Sequence, residues 1–121
     1  MPLQGELQSQ FSGVQAQAIG GSNALAVTAA GGTQATATAL AAANSVITTA
    51  TAAANGVILP SGKQPFDQFN VANTSSVNVA VYPPVGGNLN GAATNAPCLM
   101  AANTIITFFC VSNLNWLADS I

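Results

Sequence analysis

Histidine is absent from this chain, and charge is nearly so: Lys63 is the sole basic residue, with Glu6, Asp67 and Asp119 the acidic ones, in 121 residues. Proton transfer and nucleophilic attack at neutral pH draw on clusters of such groups. A carboxylate pair would have to come from these three acids, and a Ser or Cys nucleophile would have only Lys63 or a carboxylate as its base. The expectation is a protein that is not an enzyme. One lysine cannot neutralise a row of phosphates and release their counterions, so nucleic acid is not an expected partner. The same balance offers no attraction to an anionic membrane surface.

Metal and cofactor motifs are equally scarce. Structural zinc takes four Cys or His ligands, whereas this chain has Cys98 and Cys110, no His and no paired-cysteine motif. Asp67 near Asn70 and Asn73 is only a thin counterpart of a calcium loop. Gly86-Gly87 lacks the spacing of a dinucleotide loop, and Gly62-Lys63 lacks the flanks of a phosphate loop. No cofactor is expected. Two cysteines are too few for a disulfide scaffold; buried free thiols are expected, with a disulfide as the alternative. The start, Met1-Pro2-Leu3-Gln4, has no basic region before an apolar one, so no secretory signal is read there. Without such a signal, the acceptor-like Asn73-Thr74-Ser75 reads as a chance match to the glycosylation pattern. The Ala-rich residues 35–54 are broken throughout by Thr, Asn and Ser, and read as soluble sequence, not as a membrane span.

What fills the chain is Ala, Gly, Asn, Gln, Ser and Thr. Alanine buries little area, so the expected core is thin and neighbouring subunits are expected to supply much of the stability. The sequence divides into an N-terminal arm, residues 1–21, and a β-rich body, residues 22–121. In the arm Leu3, Leu7, Phe11 and Val14 recur at roughly helical spacing among Gln and Gly. An extended arm or a short helix fits, taking its structure by lying on a partner.

From Ser22 the pattern changes to strands. Leu25 and Val27 alternate with smaller residues up to Gly31-Gly32. Thr36, Thr38 and Leu40 keep the alternation, although a helix over residues 39–44 stays open. An echo links Thr36-Ala37-Thr38-Ala39 through Val46 with Thr49-Ala50-Thr51-Ala52 through Val57, too short for a repeat architecture. Val57-Ile58-Leu59 ends at Pro60, Phe69 and Val71 share a face, and Val77, Val79 and Val81 run to Pro83-Pro84. A polar loop surrounds Leu89. Cys98-Leu99-Met100 and residues 104–111 are read as a hairpin turning at Ala101-Ala102-Asn103, which sets Met100 against Thr104 and Cys98 against Ile106. Residues 105–111 are apolar on both faces, so this strand is expected to be central or covered by a neighbouring subunit. Short strands broken by Gly, Pro and Asn predict an all-β fold, a compact antiparallel β-sandwich or barrel-like domain.

Tyr82 and Trp116 carry the only large rings with a polar handle and are candidate interface anchors, although Trp116 reads first as a core lid and second as an exposed platform. With Ile105 and Phe109 from the double-sided strand and the four arm residues, they make up the expected interface set.

From Leu40 onward the order of elements resembles a group of small bacteriophage structural proteins. The residues that carry it are Val46-Ile47-Thr48-Thr49, Gly56-Val57-Ile58-Leu59-Pro60 and Phe69-Asn70-Val71-Ala72-Asn73. It continues through Asn78-Val79-Ala80-Val81-Tyr82-Pro83, Gly87-Asn88-Leu89-Asn90-Gly91, Phe108-Phe109 and Asn115-Trp116. Pro84 after Tyr82-Pro83 and the two cysteines depart from that pattern and bear on the interface, not the fold. The resemblance implies a virion component: a decoration, cement or head-fibre protein on the outer capsid surface. Such a protein would be made in the host cytoplasm, form homotrimers and contact the major capsid protein. A receptor- or glycan-binding module of a tail or fibre is the alternative, motivated by the Gly86–Gly91 loop and the two rings.

Overall fold

Apolar runs form the strands, and most of the Gly, Asn and Pro breaks carry the chain from one layer to the other, although those at Pro83-Pro84 and Asn113-Leu114 return it to the same layer. The computed structural model describes residues 22–119. Its strands are β1 Asn23–Ala29, β2 Thr38–Ala39, β3 Asn44–Ala50, β4 Asn55–Ile58, β5 Gln68–Asn73, β6 Val79–Tyr82, β7 Cys98–Met100, β8 Thr104–Ser112 and β9 Asn115–Ala118. A short 3-10 turn spans Gln34–Thr36. The domain is all-β, with two mixed sheets ordered β1-β3-β5-β8-β9 and β2-β4-β6-β7. The arm lies outside the described residues.

From β1 to β6 the chain alternates between the sheets, like a flattened coil. β1, β3 and β5 therefore run parallel in the first sheet, and β2, β4 and β6 run parallel in the second. Antiparallel pairing enters only with β6–β7, β5–β8 and β8–β9. The antiparallel sandwich or barrel is corrected accordingly, and neither sheet closes on itself. A Gly-Asn break looks the same whether the chain turns back beside its last strand or crosses to the facing sheet; only pairing tells the two apart. The echo now has a place: Asn44-Ser45-Val46-Ile47 begins β3 and Asn55-Gly56-Val57-Ile58 begins β4, half a coil later in the opposite sheet.

One local expectation is also corrected. The hairpin at Ala101-Ala102-Asn103 does not form, because β7 pairs with β6 (Met100 beside Val79) while β8 pairs with β5 (Thr104 beside Asn73). Those three residues cross between sheets. No helix covers residues 39–44; Thr38–Ala39 is a strand, and Leu40 turns into the core.

The core is denser than an Ala-rich composition implies. Ile47, Val57, Val71, Val79, Val81, Met100, Phe108 and Trp116 are all 0% exposed and join one cluster drawn from both sheets, closed by Leu40, Leu59 and Leu89. Burying each Val, Leu or Phe stabilises by roughly 1.5–3 kcal/mol. Ala29 is the one alanine among the buried members of that cluster; the others mostly occupy turns and outer faces.

The two outer faces differ. Over the second sheet the chain lays its own segment after β1: Ala30 exchanges both backbone hydrogen bonds with Gly56 at 3.1 Å, and Gln34 Nε2 donates to the Pro83 carbonyl at 2.8 Å. Tyr82 lies beneath this segment and its hydroxyl donates to the Gly32 carbonyl at 3.4 Å. Gly56 is required here, since a Cβ would stand 2.7 Å from the Tyr82 ring. No segment of the described residues covers the first sheet in this way.

Candidate interaction face

The uncovered face of the first sheet is organised by β8, which lies between β5 and β9. Its even-numbered residues face inward, Phe108 and Cys110 being buried, and its odd-numbered residues face outward. Ile105 is 54% exposed and Val111 49%. Register sets Phe109 between Gln68 and Leu117, Thr107 beside Asn70, and Ile105 beside Ala72. The double-sided apolar pattern thus has two causes: one face enters the core, and the other is presented.

A row of amides crosses the middle of this face. Asn23, Asn44 and Asn70 occupy matching positions on β1, β3 and β5. Asn44 Nδ2 donates to Asn23 Oδ1 at 3.0 Å, Asn70 Nδ2 donates to Asn44 Oδ1 at 2.8 Å, and the Thr107 hydroxyl donates to Asn70 Oδ1 at 2.8 Å. Parallel strands in register bring like residues together, and amides both donate and accept, so the row propagates in one direction.

At the lower end of the face the chain makes a tight turn, Gln64-Pro65-Phe66-Asp67. Asp67 N–H donates to the Gln64 carbonyl at 3.0 Å, and Gln64 N–H donates to Asp67 Oδ2 at 2.9 Å. Phe66 N–H donates to the Cys110 carbonyl at 2.7 Å, and Cys110 N–H donates to the Asp67 carbonyl at 2.8 Å. Proline second and a left-handed residue third is the pattern of a turn that normally takes glycine in third place. Here that residue is Phe66, at φ +70° and 87% exposed. A side chain in that region costs about 1–2 kcal/mol. Phe66 is itself part of the wall of an apolar hollow of about 410 Å³, with Pro65, Phe109, Cys110, Val111 and Leu117.

A second hollow, about 520 Å³, opens where β7 approaches the ends of β8 and β9, lined by Cys98, Thr104, Ile105, Ile106 and Asp119 with Asn90 at its rim. Asn90 Oδ1 is committed to the Ala118 N–H at 2.8 Å. Burial raises the Cys98 thiol above its ordinary value. The Cys110 thiol is also pushed up, by burial first and then by the Asp67 carboxylate. A thiol pushed up is a weak nucleophile. Both cysteines are free, Cys98 half-buried and Cys110 buried; their strands belong to opposite sheets.

The expected interface residues divide sharply. Ile105 and Phe109 are on the presented face. Trp116 is 0% exposed, packed edge-on to Phe69 with centroids 5.5 Å apart, and Tyr82 is 8% exposed under its own chain segment. Neither ring is a surface anchor, and neither is an open platform for a sugar. Leu3, Leu7, Phe11 and Val14 lie outside the described residues. Phe66, Val111 and Leu117 were missed; proline followed by an aromatic at the left-handed place of a turn was the available signal.

The candidate calcium loop does not assemble: Asp67 binds its own turn, Asn70 belongs to the amide row, and Asn73 is buried. Among the described residues no group of three or more His, Cys, Asp or Glu side chains is placed to hold a metal ion. Among them also, no helix is long and apolar enough to cross a membrane. Asn73 is 0% exposed with Nδ2 committed to backbone carbonyls, which closes it to glycosylation in the folded chain.

No family model and no curated protein matches this chain. The arrangement itself offers apolar area and amide hydrogen bonding over one sheet face. That is the chemistry of protein association.

Proposed function

We propose that the protein is a non-enzymatic structural component of a bacteriophage virion, decorating or cementing the outer capsid surface as a homotrimer. The observation that carries this reading is the presented face of the first sheet. It joins a row of amides to apolar side chains, with the carboxylates of Asp67 and Asp119 only at its ends. Such a surface stabilises a shell by burying area and exchanging hydrogen bonds, with no chemical step. The resemblance in the Tyr82-Pro83 strand and the Leu89-Asn90-Gly91 loop supplies the phage setting and the trimer.

In this reading the major capsid protein is the partner of the arm, through Leu3, Leu7, Phe11 and Val14. Removing residues 1–21 leaves the β body folded by circular dichroism and weakens attachment to capsids. Cryo-electron microscopy of the parent particle tests the whole proposal: it should show the protein on the outer shell in threes. Density confined to the tail or baseplate refutes it.

A further inference from the structure

We infer that Asn90 is a site of spontaneous modification, converting in the folded chain to aspartate and isoaspartate with loss of ammonia. The chain holds two Asn-Gly pairs, Asn55-Gly56 and Asn90-Gly91. In such a pair the backbone nitrogen of the glycine can attack the side-chain carbonyl carbon of the asparagine. A new N–C bond forms, the bond to the amide nitrogen breaks, and ammonia leaves with the proton given up by the glycine nitrogen. Water then opens the cyclic succinimide at either carbonyl. One opening gives aspartate, the other isoaspartate, in which the main chain runs through the former side chain. The step needs water alone, with no oxidant, metal or partner.

The fold leaves one pair open to this step. Asn90 is exposed, and it forms a turn with Gly91 at φ +55° and +71°. Asn tolerates the left-handed region and Gly takes it without strain. Among the described residues the Gly91 N–H has no hydrogen-bond partner. A Cβ placed on Gly91 would meet nothing within 4 Å. The nucleophile is therefore unbonded and unhindered. At the carbonyl, Asn90 Oδ1 accepts from the Ala118 N–H at 2.8 Å. Negative charge gathers on that oxygen as the nitrogen adds, and a backbone N–H aimed at it stabilises the charge.

The other pair is closed. Asn55 begins β4, Gly56 is buried, and the Gly56 N–H donates to the Ala30 carbonyl at 3.1 Å. The Asn55 amide donates to the Thr51 hydroxyl at 3.1 Å. β4 must open before its nitrogen can attack, and a paired strand opens far less often than an exposed turn.

Conversion would alter the edge of β9. The Trp116 N–H donates to the Asn88 carbonyl and the Asn90 N–H to the Trp116 carbonyl, both at 3.0 Å, and the Asn90 side chain bonds the last rung at Ala118. Isoaspartate turns that side chain into main chain. Either product adds a carboxylate beside Asp119 on the rim of the second hollow.

Incubating the full chain at neutral and mildly alkaline pH, then mapping its peptides by mass spectrometry, tests the inference. Asn90 should show the mass change of amide to acid, faster as pH rises because the glycine nitrogen must lose its proton. Asn55 should convert about tenfold or more slowly, since β4 must open first. In denaturant the two pairs should convert at similar rates, which separates the fold from the dipeptide. If Asn90 keeps its amide in the folded chain while the unfolded chain loses it, the turn protects the pair and the inference fails. Equal rates at both pairs in the folded chain would also overturn it, because the dipeptide alone would then decide. An Asn55 that stays slow in denaturant would show that the fold is not what spares it.

Discussion

Asn73 ends β5 and is 0% exposed, yet every polar atom of its amide is used. Nδ2 donates to the carbonyls of Val77, Ala101 and Met100 at 2.9, 3.2 and 3.3 Å. Oδ1 accepts from the Ser75 N–H at 3.0 Å and the Ser75 hydroxyl at 2.6 Å. One side chain thus ties the end of β5 to the turn before β6 and to the crossing after β7. Asn73→Ala removes all of these bonds and leaves the Ser75 N–H and several carbonyls without this partner. Counting about 1 kcal/mol for each good bond and less for the longer ones, the loss should be about 3 kcal/mol. That is a large part of the ~5–15 kcal/mol that holds a domain of this kind together. In thermal unfolding the midpoint should fall by roughly 10 °C or more. A loss below about 1 kcal/mol would refute the view that this amide joins the two sheets.

Asn73→Asp makes the same argument through pH. The new carboxyl keeps its acceptor role toward Ser75 but points an oxygen where Nδ2 met three carbonyls. Burial and those carbonyls favour its protonated form, so its folded pKa should lie above the unfolded value of about 3.9. A group raised on folding binds its proton more tightly in the folded state. The variant should therefore be closest to the unaltered chain in acid and lose stability as pH rises through the folded pKa. Denaturant titrations at several pH values check the sign, and a variant that is relatively most stable at neutral pH would contradict it.

Asn70→Ala should cost about 1–2 kcal/mol, because it breaks the amide row at its most connected member, bonded to Asn44, Thr107 and Gln68; urea titration measures this. Alkylation should label Cys98 before Cys110 in the folded chain, and the labelling of Cys98 should rise only at a pH above that of an ordinary thiol, since burial lifts its pKa. Mass spectrometry of pulse-labelled protein reads both sites, and equal rates would argue against the burial of Cys110.

Strand identity was legible in the residues themselves. The alternation Phe69-Asn70-Val71 and the run Val79-Ala80-Val81 became β5 and β6, and proline ended β6 because it has no N–H for a ladder. The double-sided β8 was also readable, and it proved to be both central and presented. Periodicity reports which residues share a face, and that much the chain determines locally.

Pairing is a different matter. Nothing in the spacing of Gly and Asn told a return beside the same strand from a crossing to the facing sheet, so the parallel coil and the separation of β7 from β8 appeared only in the tertiary structure. The amide row follows from that register: Asn23, Asn44 and Asn70 are far apart in sequence and meet only because parallel strands align them. Trp116 leaned to the core in the sequence, but only the two sheets closing over it decided the matter. Phe66 stood out least of all, since its exposure depends on a left-handed backbone fixed by hydrogen bonds to β8. Local chemistry chose the strands; long-range hydrogen bonding chose their neighbours, and with them which apolar side chains were buried and which were left facing out.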